Sequence, residues 1–91
     1  MRQLAWETDA AAQLEDILGY IADRNIAAAD RLERVITNSV DHLIAFPFIG
    51  RPGRIAGTRE LIVHPNYIII YQVSENLIDI IRVLHAHQQY P

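Results

Sequence analysis

The side chains best equipped for chemistry lie toward the C-terminal end of the chain. His85, His87 and Tyr90 come last, Arg82 stands just before them, and Arg59 opens an apolar run upstream. An imidazole can take or give a proton near neutral pH, a phenol can give one, and a guanidinium can meet negative charge as it develops. Arg59, His85, His87 and Tyr90 are therefore the residues that could cleave a phosphodiester, with His85 or His87 as base and Tyr90 as acid. The same groups, joined by Arg51, Arg54 and Arg82, could instead form a surface that binds a partner protein or an anion. Each has an ordinary reading as well. A strand-end arginine such as Arg59 is often only solvated or ion-paired, and Arg51 and Arg54 flank Pro52-Gly53 in what reads as a soluble loop.

Other chemistries find less support. His85 and His87 would point to one side if their strand persists, and His64 could join them as a metal site. Such a site needs every imidazole within about 2.1 Å of one ion, which nothing in the spacing imposes, so no metal and no cofactor are expected. Gly50-Arg51-Pro52-Gly53 lacks the Gly-Lys-Ser/Thr ending of a phosphate loop, and cysteine is absent. Tyr67 and Tyr71 share a strand face and read as packing aromatics before base-stacking platforms. Arg82 sits in a run with apolar residues on both faces, so it should have a paired acid, with Glu60 or Asp79 at hand.

Three apolar runs must position these groups: residues 58–64, 67–73 and 77–85. They are rich in Ile, Val, Leu and Tyr and are separated by Pro65-Asn66 and Ser74-Glu75-Asn76, which suits strands joined by turns. The gaps are too short for a crossover helix, so the runs predict an antiparallel meander. Ahead of them, residues 2–6 form a further strand candidate with Leu4 and Trp6 on one face.

Thr8 or Asp9 can then cap a helix in which Ala10, Leu14, Ile17, Leu18 and Ile21 recur at helical spacing. Asn25 ends it and caps a second helix reaching about Ala45, with its stripe on Ala28, Leu32, Val35, Ile36, Val40, Leu43 and Ile44. Asp30 and Arg34 are placed to pair along that helix. After it, Pro47 blocks continuation, Pro52-Gly53 suits the centre of a type II turn, and Phe46, Phe48 and Ile49 are expected to tuck back beneath the loop. Residues 86–91 read as an extended polar end. The order β-α-α-β-β-β predicts an α+β layer, an antiparallel helical hairpin packed on a small antiparallel sheet.

Composition narrows the setting. Ninety-one residues suit one domain spanning 1–91, and such a chain buries only about two-thirds of its unfolded surface, which leaves a thin stability margin without a partner. Apolar residues make up 51% of the chain, enough for a core, and no apolar run approaches membrane-spanning length. A soluble cytoplasmic protein without membrane contact is expected. The formal net charge is −3 and every basic residue is Arg, so general attraction to nucleic acid is not the dominant feature.

The ordered set also resembles a family. It comprises the early Trp6, Tyr20-Ile21, Phe46-Pro47, Gly50-Arg51-Pro52-Gly53-Arg54, Gly57-Thr58-Arg59-Glu60-Leu61, the strand from Tyr67 to Tyr71, and Arg82-Val83-Leu84-His85. Together these look like the RelE/ParE superfamily of bacterial type II toxins over nearly the whole chain. The resemblance implies a toxin silenced by a cognate antitoxin that folds on binding, with DNA contacted only through the antitoxin complex. RelE-like members cleave messenger RNA in the ribosome, whereas ParE-like members inhibit DNA gyrase and do no chemistry. RelE-like nucleases carry Arg immediately after the first strand tyrosine, where this chain has Ile68, and a basic cluster past the last strand, where it reads Ala86-His87-Gln88-Gln89-Tyr90. Losing a cation at a reacting phosphate removes transition-state stabilisation, so the resemblance leans to the ParE side, with a catalytic set of none. A ribosome-dependent endoribonuclease, or a degenerate scaffold that only binds antitoxin, are the alternatives it leaves.

Overall fold

Two periodicities build this molecule: apolar positions three and four apart make its helices, and alternating ones make its sheet. In the computed structural model, which describes residues 1–88 and residue 90, the elements are β1 (Gln3–Trp6), α1 (Thr8–Ala22), α2 (Ile26–Ala45), β2 (Arg51–Pro52), β3 (Arg59–His64), β4 (Tyr67–Val73) and β5 (Leu77–His85). The strands lie in the order β1-β5-β4-β3-β2. The meander β3-β4-β5 is antiparallel as expected, but β1 joins β5 in parallel, Gln3 opposite Leu77 and Trp6 opposite Ile80, so the sheet is mixed. A parallel neighbour needs a long connection, and the helical hairpin supplies it. The stretch expected as a turn at Pro52 is instead a short edge strand, Arg51 pairing with Glu60 and Pro52 with Arg59. Proline is tolerated there because an edge position need not donate to a ladder.

The hairpin covers one face of the sheet. Ala10 of α1 and Leu32, Ile36, Val40 and Leu43 of α2 pack with Val63, Ile69, Tyr71, Ile78, Ile80 and Val83. On the other face lies a smaller cluster of Ile68, Ile70, Leu84 and Tyr90. Alternation explains β4: Tyr67, Ile69 and Tyr71 face the helices, Ile68 and Ile70 face away. It fails in β5 because of a bulge. Ile70 is opposite Arg82 while Tyr71 is opposite Ile80, so Ile81 is the extra residue and the facing pattern slips by one. Ile80 therefore shares the helix side with Val83, and not with Arg82 and Leu84 as simple alternation requires. Beside the bulge, the Val83 N–H donates to Gln13 Oε1 of α1 at 2.8 Å, which ties the helix to the irregular strand.

Helix ends and faces differ in detail from the sequence reading. Asn25 caps α2 as expected, its Oδ1 accepting from the Ala28 N–H at 3.0 Å. Neither Thr8 nor Asp9 caps α1: both lie inside the helix, and Glu7 occupies the cap position without a side-chain bond. On α2 the buried stripe is narrower than expected, with Ala29 replacing Ala28 and Val35 turned to solvent. The Asp30–Arg34 pair does not form; among the described residues both ion pairs involve Glu60. No helix of the described residues is long and apolar enough to cross a membrane.

Candidate functional site

The arginines expected at a binding surface first prove to be builders of the loop around them. Glu60 lies on β3, 3% exposed, and its Oε1 accepts from Arg51 Nε at 2.7 Å while Arg54 Nε stands 3.7 Å from Oε2. A carboxylate so buried needs opposite charge beside it, and two guanidinium groups supply that. This overturns the expected partner of Arg82, because Glu60 is already engaged and Arg82 has no ion pair among the described residues. Arg82 is half-buried opposite Ile70 and borders a cleft with Glu7, Thr8, Asp9 and Gln13.

Arg59 has a structural task as well. Its guanidinium donates to the Gly50 carbonyl at 2.8 Å and the Phe48 carbonyl at 3.3 Å, and lies over the Phe48 ring with 5.0 Å to the centroid. Nearby, the Tyr71 hydroxyl donates to the Pro47 carbonyl and accepts from the Gly50 N–H, each at 2.9 Å. A Cβ on residue 50 would stand 2.6 Å from that hydroxyl and 2.8 Å from the Glu60 carbonyl oxygen, so only glycine allows the approach. Burial pushes the Tyr71 pKa above its ordinary value, while the Gly50 N–H and the Arg59 charge pull the other way.

With the loop backbone fixed in this way, its apolar side chains do not tuck beneath it. Phe46, Phe48 and Ile49 stand out, 59%, 57% and 61% exposed. The hydrogen bonds go to carbonyls and to an amide of the loop, so they hold its backbone while leaving its side chains outside.

The tail departs from its expected course too. Tyr90 returns to the sheet and is buried on Ile68, Ile70 and Leu84. Arg54 lies over its ring at 4.5 Å and donates to its carbonyl at 3.4 Å. The Tyr90 hydroxyl and Glu60 Oε2 are buried without a hydrogen-bond partner.

The histidines gather at the other end of the sheet. His85 closes β5 opposite Tyr67, their rings 5.5 Å apart and nearly perpendicular, with His64 and His87 continuing the row at 5.6 and 5.5 Å. His64 Nδ1 accepts from the Asn66 N–H at 3.0 Å, and His85 Nδ1 accepts from the His87 N–H at 3.4 Å. Beside this row is a cleft of about 430 Å³, its walls including Gln13, Asp16, Tyr20, Tyr67 and His85. Among the described residues no group of three metal-ligating side chains comes together.

The residues read as a phosphodiester-cleaving set are thus brought together only in part. His85 and His87 are neighbours. Arg59 pairs with Tyr71 while His85 pairs with Tyr67, four residues away along β4 and roughly 13 Å off at the rise of a strand. Tyr90 is on the opposite face, under Arg54. Sequence reading missed Glu60 as the centre of the arginine cluster and the exposed Phe46–Ile49 tip; the one available signal was a glutamate inside an apolar strand run.

A strand, a helical hairpin and a mixed sheet in this order define an α+β fold of the RelE/ParE kind. Residues 4–90 match the family described as the ParE toxin of the type II toxin-antitoxin system, parDE, and the chain belongs to it. It is 41% identical to Y4kP of Sinorhizobium fredii over 91 residues, covering 99% of this chain and 94% of the other. Toxin RelE2 of Caulobacter vibrioides is 37% identical over 86 residues, with 94% and 97% covered. Among solved structures, a chain of the chromosomal ParDE toxin-antitoxin system from P. aeruginosa superposes with a TM-score of 0.81 at 26% identity, covering 93% of this chain and 96% of that one. The chain is the toxin member of such a module, and its partner is an antitoxin.

Proposed function

We propose that this toxin arrests growth in the cytoplasm by binding DNA gyrase, breaks no bond itself, and is silenced by a cognate antitoxin that folds across its surface. One observation carries the reading. The slot where the nuclease relatives bear an arginine is Ile68, 5% exposed, packed with Ile70 and Leu84 beneath Tyr90. An arginine there would meet a transferring phosphoryl group; an isoleucine under a tyrosine offers it neither charge nor access. Arg59, the other cation of the set, turns one guanidinium nitrogen to the Phe48 and Gly50 carbonyls of the loop.

A second reading, ribosome-dependent cleavage of mRNA, draws on His85 in the cleft wall and its neighbour His87. The test of the first is DNA supercoiling by gyrase with rising toxin. Supercoiling should fall and return when antitoxin is added, whereas full supercoiling at saturating toxin overturns the proposed target. A chain that causes no growth arrest when expressed alone would be an antitoxin-binding scaffold only.

A further inference from the structure

Three apolar side chains in a row at 59%, 57% and 61% exposure are costly to keep in water unless something covers them. Single exposed apolar residues need no explanation, but Phe46, Phe48 and Ile49, with Pro47 between them, share one apolar surface on a loop whose backbone is held. Tyr71 reaches out of the core to hold the carbonyl of Pro47 and the amide of Gly50, and Arg59 holds the carbonyls of Phe48 and Gly50. Holding a loop in one shape before contact reduces the ordering cost of binding. Two cations lie against the tip: Arg2 and Arg59 stand over the Phe48 ring at 5.5 and 5.0 Å. Neither has a carboxylate partner among the described residues, although the chain as a whole carries −3.

We infer that the Phe46–Ile49 tip is the part of the toxin that enters its target, a folded protein presenting an apolar cleft rimmed by carboxylates. This rests on the protein-binding reading above and gives it a surface. Phe46, Pro47, Phe48 and Ile49 line a shallow apolar surface held in one shape before contact, which suits a preformed surface on a folded target more than a segment that must order as it binds. The two flanking arginines supply orientation and speed of encounter, and the buried aromatic supplies the affinity.

The test uses the full chain, with Phe48→Ser combined with Ile49→Ser as one variant and Arg2→Glu as another. Dissociation constants are measured for purified gyrase and for the cognate antitoxin, together with growth arrest on expression and the urea midpoint. The double variant should keep its midpoint and its antitoxin affinity while gyrase binding weakens at least about 30-fold, the loss typical of a buried aromatic anchor. Arg2→Glu should slow association with gyrase and flatten its salt dependence, because the charge at the tip falls from two cations to one cation and one anion. Unchanged gyrase binding in the double variant overturns the inference while leaving the target in place. Loss of antitoxin binding instead assigns the tip to the antitoxin, and loss of self-association, read by sedimentation of the toxin alone, assigns it to a second copy; either overturns the inference. If wild-type toxin does not bind gyrase, the target is wrong, and growth arrest decides: arrest lost in the folded double variant upholds the tip, and arrest retained removes it.

Discussion

Replacing Tyr71 with phenylalanine isolates the hydroxyl that joins core to loop. The ring is fully buried and stays the same size, so no large cavity opens and hydrophobic burial is nearly unchanged. What disappears is one donor to the Pro47 carbonyl and one acceptor for the Gly50 N–H. Gly50 is buried, so its amide is stranded, whereas the half-buried Pro47 carbonyl can recover a water. A stranded buried donor costs about 1–3 kcal/mol, and about 2 is expected here. For a domain of this size that lowers Tm by roughly 8–16 °C. Urea denaturation should show a lower midpoint with an unchanged slope, and hydrogen exchange at the Gly50 amide should accelerate.

The pH dependence gives an independent check. The folded-state pKa of Tyr71 lies above the unfolded value near 10.0 because burial disfavours the phenolate. Its contribution is therefore fully present below pH 10 and is lost as pH rises from there through the folded pKa, by at most about 1.4 kcal/mol per pH unit. The stability gap between wild type and Tyr71→Phe should thus narrow above pH 10. A variant with the wild-type midpoint, or a gap that widens in alkali, would refute the reasoning.

Further substitutions probe other joints. Asn25→Ala removes the cap of α2 and should cost about 1 kcal/mol in urea denaturation, while Asn25→Asp, which keeps the acceptor, should cost far less. Ile36 is fully buried between α2 and the sheet, so Ile36→Ala should cost about 2–5 kcal/mol by the same measurement. Arg51→Ala leaves the Glu60 carboxylate buried with only the more distant Arg54, whereas Glu60→Gln removes the charge itself; the first should be the more destabilising in thermal melts.

What could be read from the chain follows its periodicity. The helices and the meander were legible because their apolar patterns run long enough to fix a face. The bulge at Ile81 was not, because β5 is apolar on both sides and a one-residue slip leaves the pattern looking the same. The parallel seat of β1 depends on where the hairpin returns the chain, which four residues of strand cannot encode. Side-chain direction was hardest to foresee in the loop. Phe46, Phe48 and Ile49 are apolar and so read as buried, yet Tyr71 and Arg59 hold the loop at Pro47, Phe48 and Gly50 with those side chains outward. Tyr90 erred in the opposite sense, since a polar tail hid one aromatic with an apolar patch to cover. Of the candidate site, the pairing of His85 with His87 was visible as a two-residue spacing. The capture of Arg51 and Arg54 by Glu60 was not, because it needs the β2–β3 pairing that brings residues 51 and 60 together.

That this toxin works by docking is tested most directly by primer extension along an mRNA on translating ribosomes, with purified toxin in molar excess. Intact message throughout is the result the proposal predicts, because Ile68 is buried with Ile70, Leu84 and Tyr90 and carries no charge. Cuts at defined codon positions that vanish when antitoxin is added would contradict it.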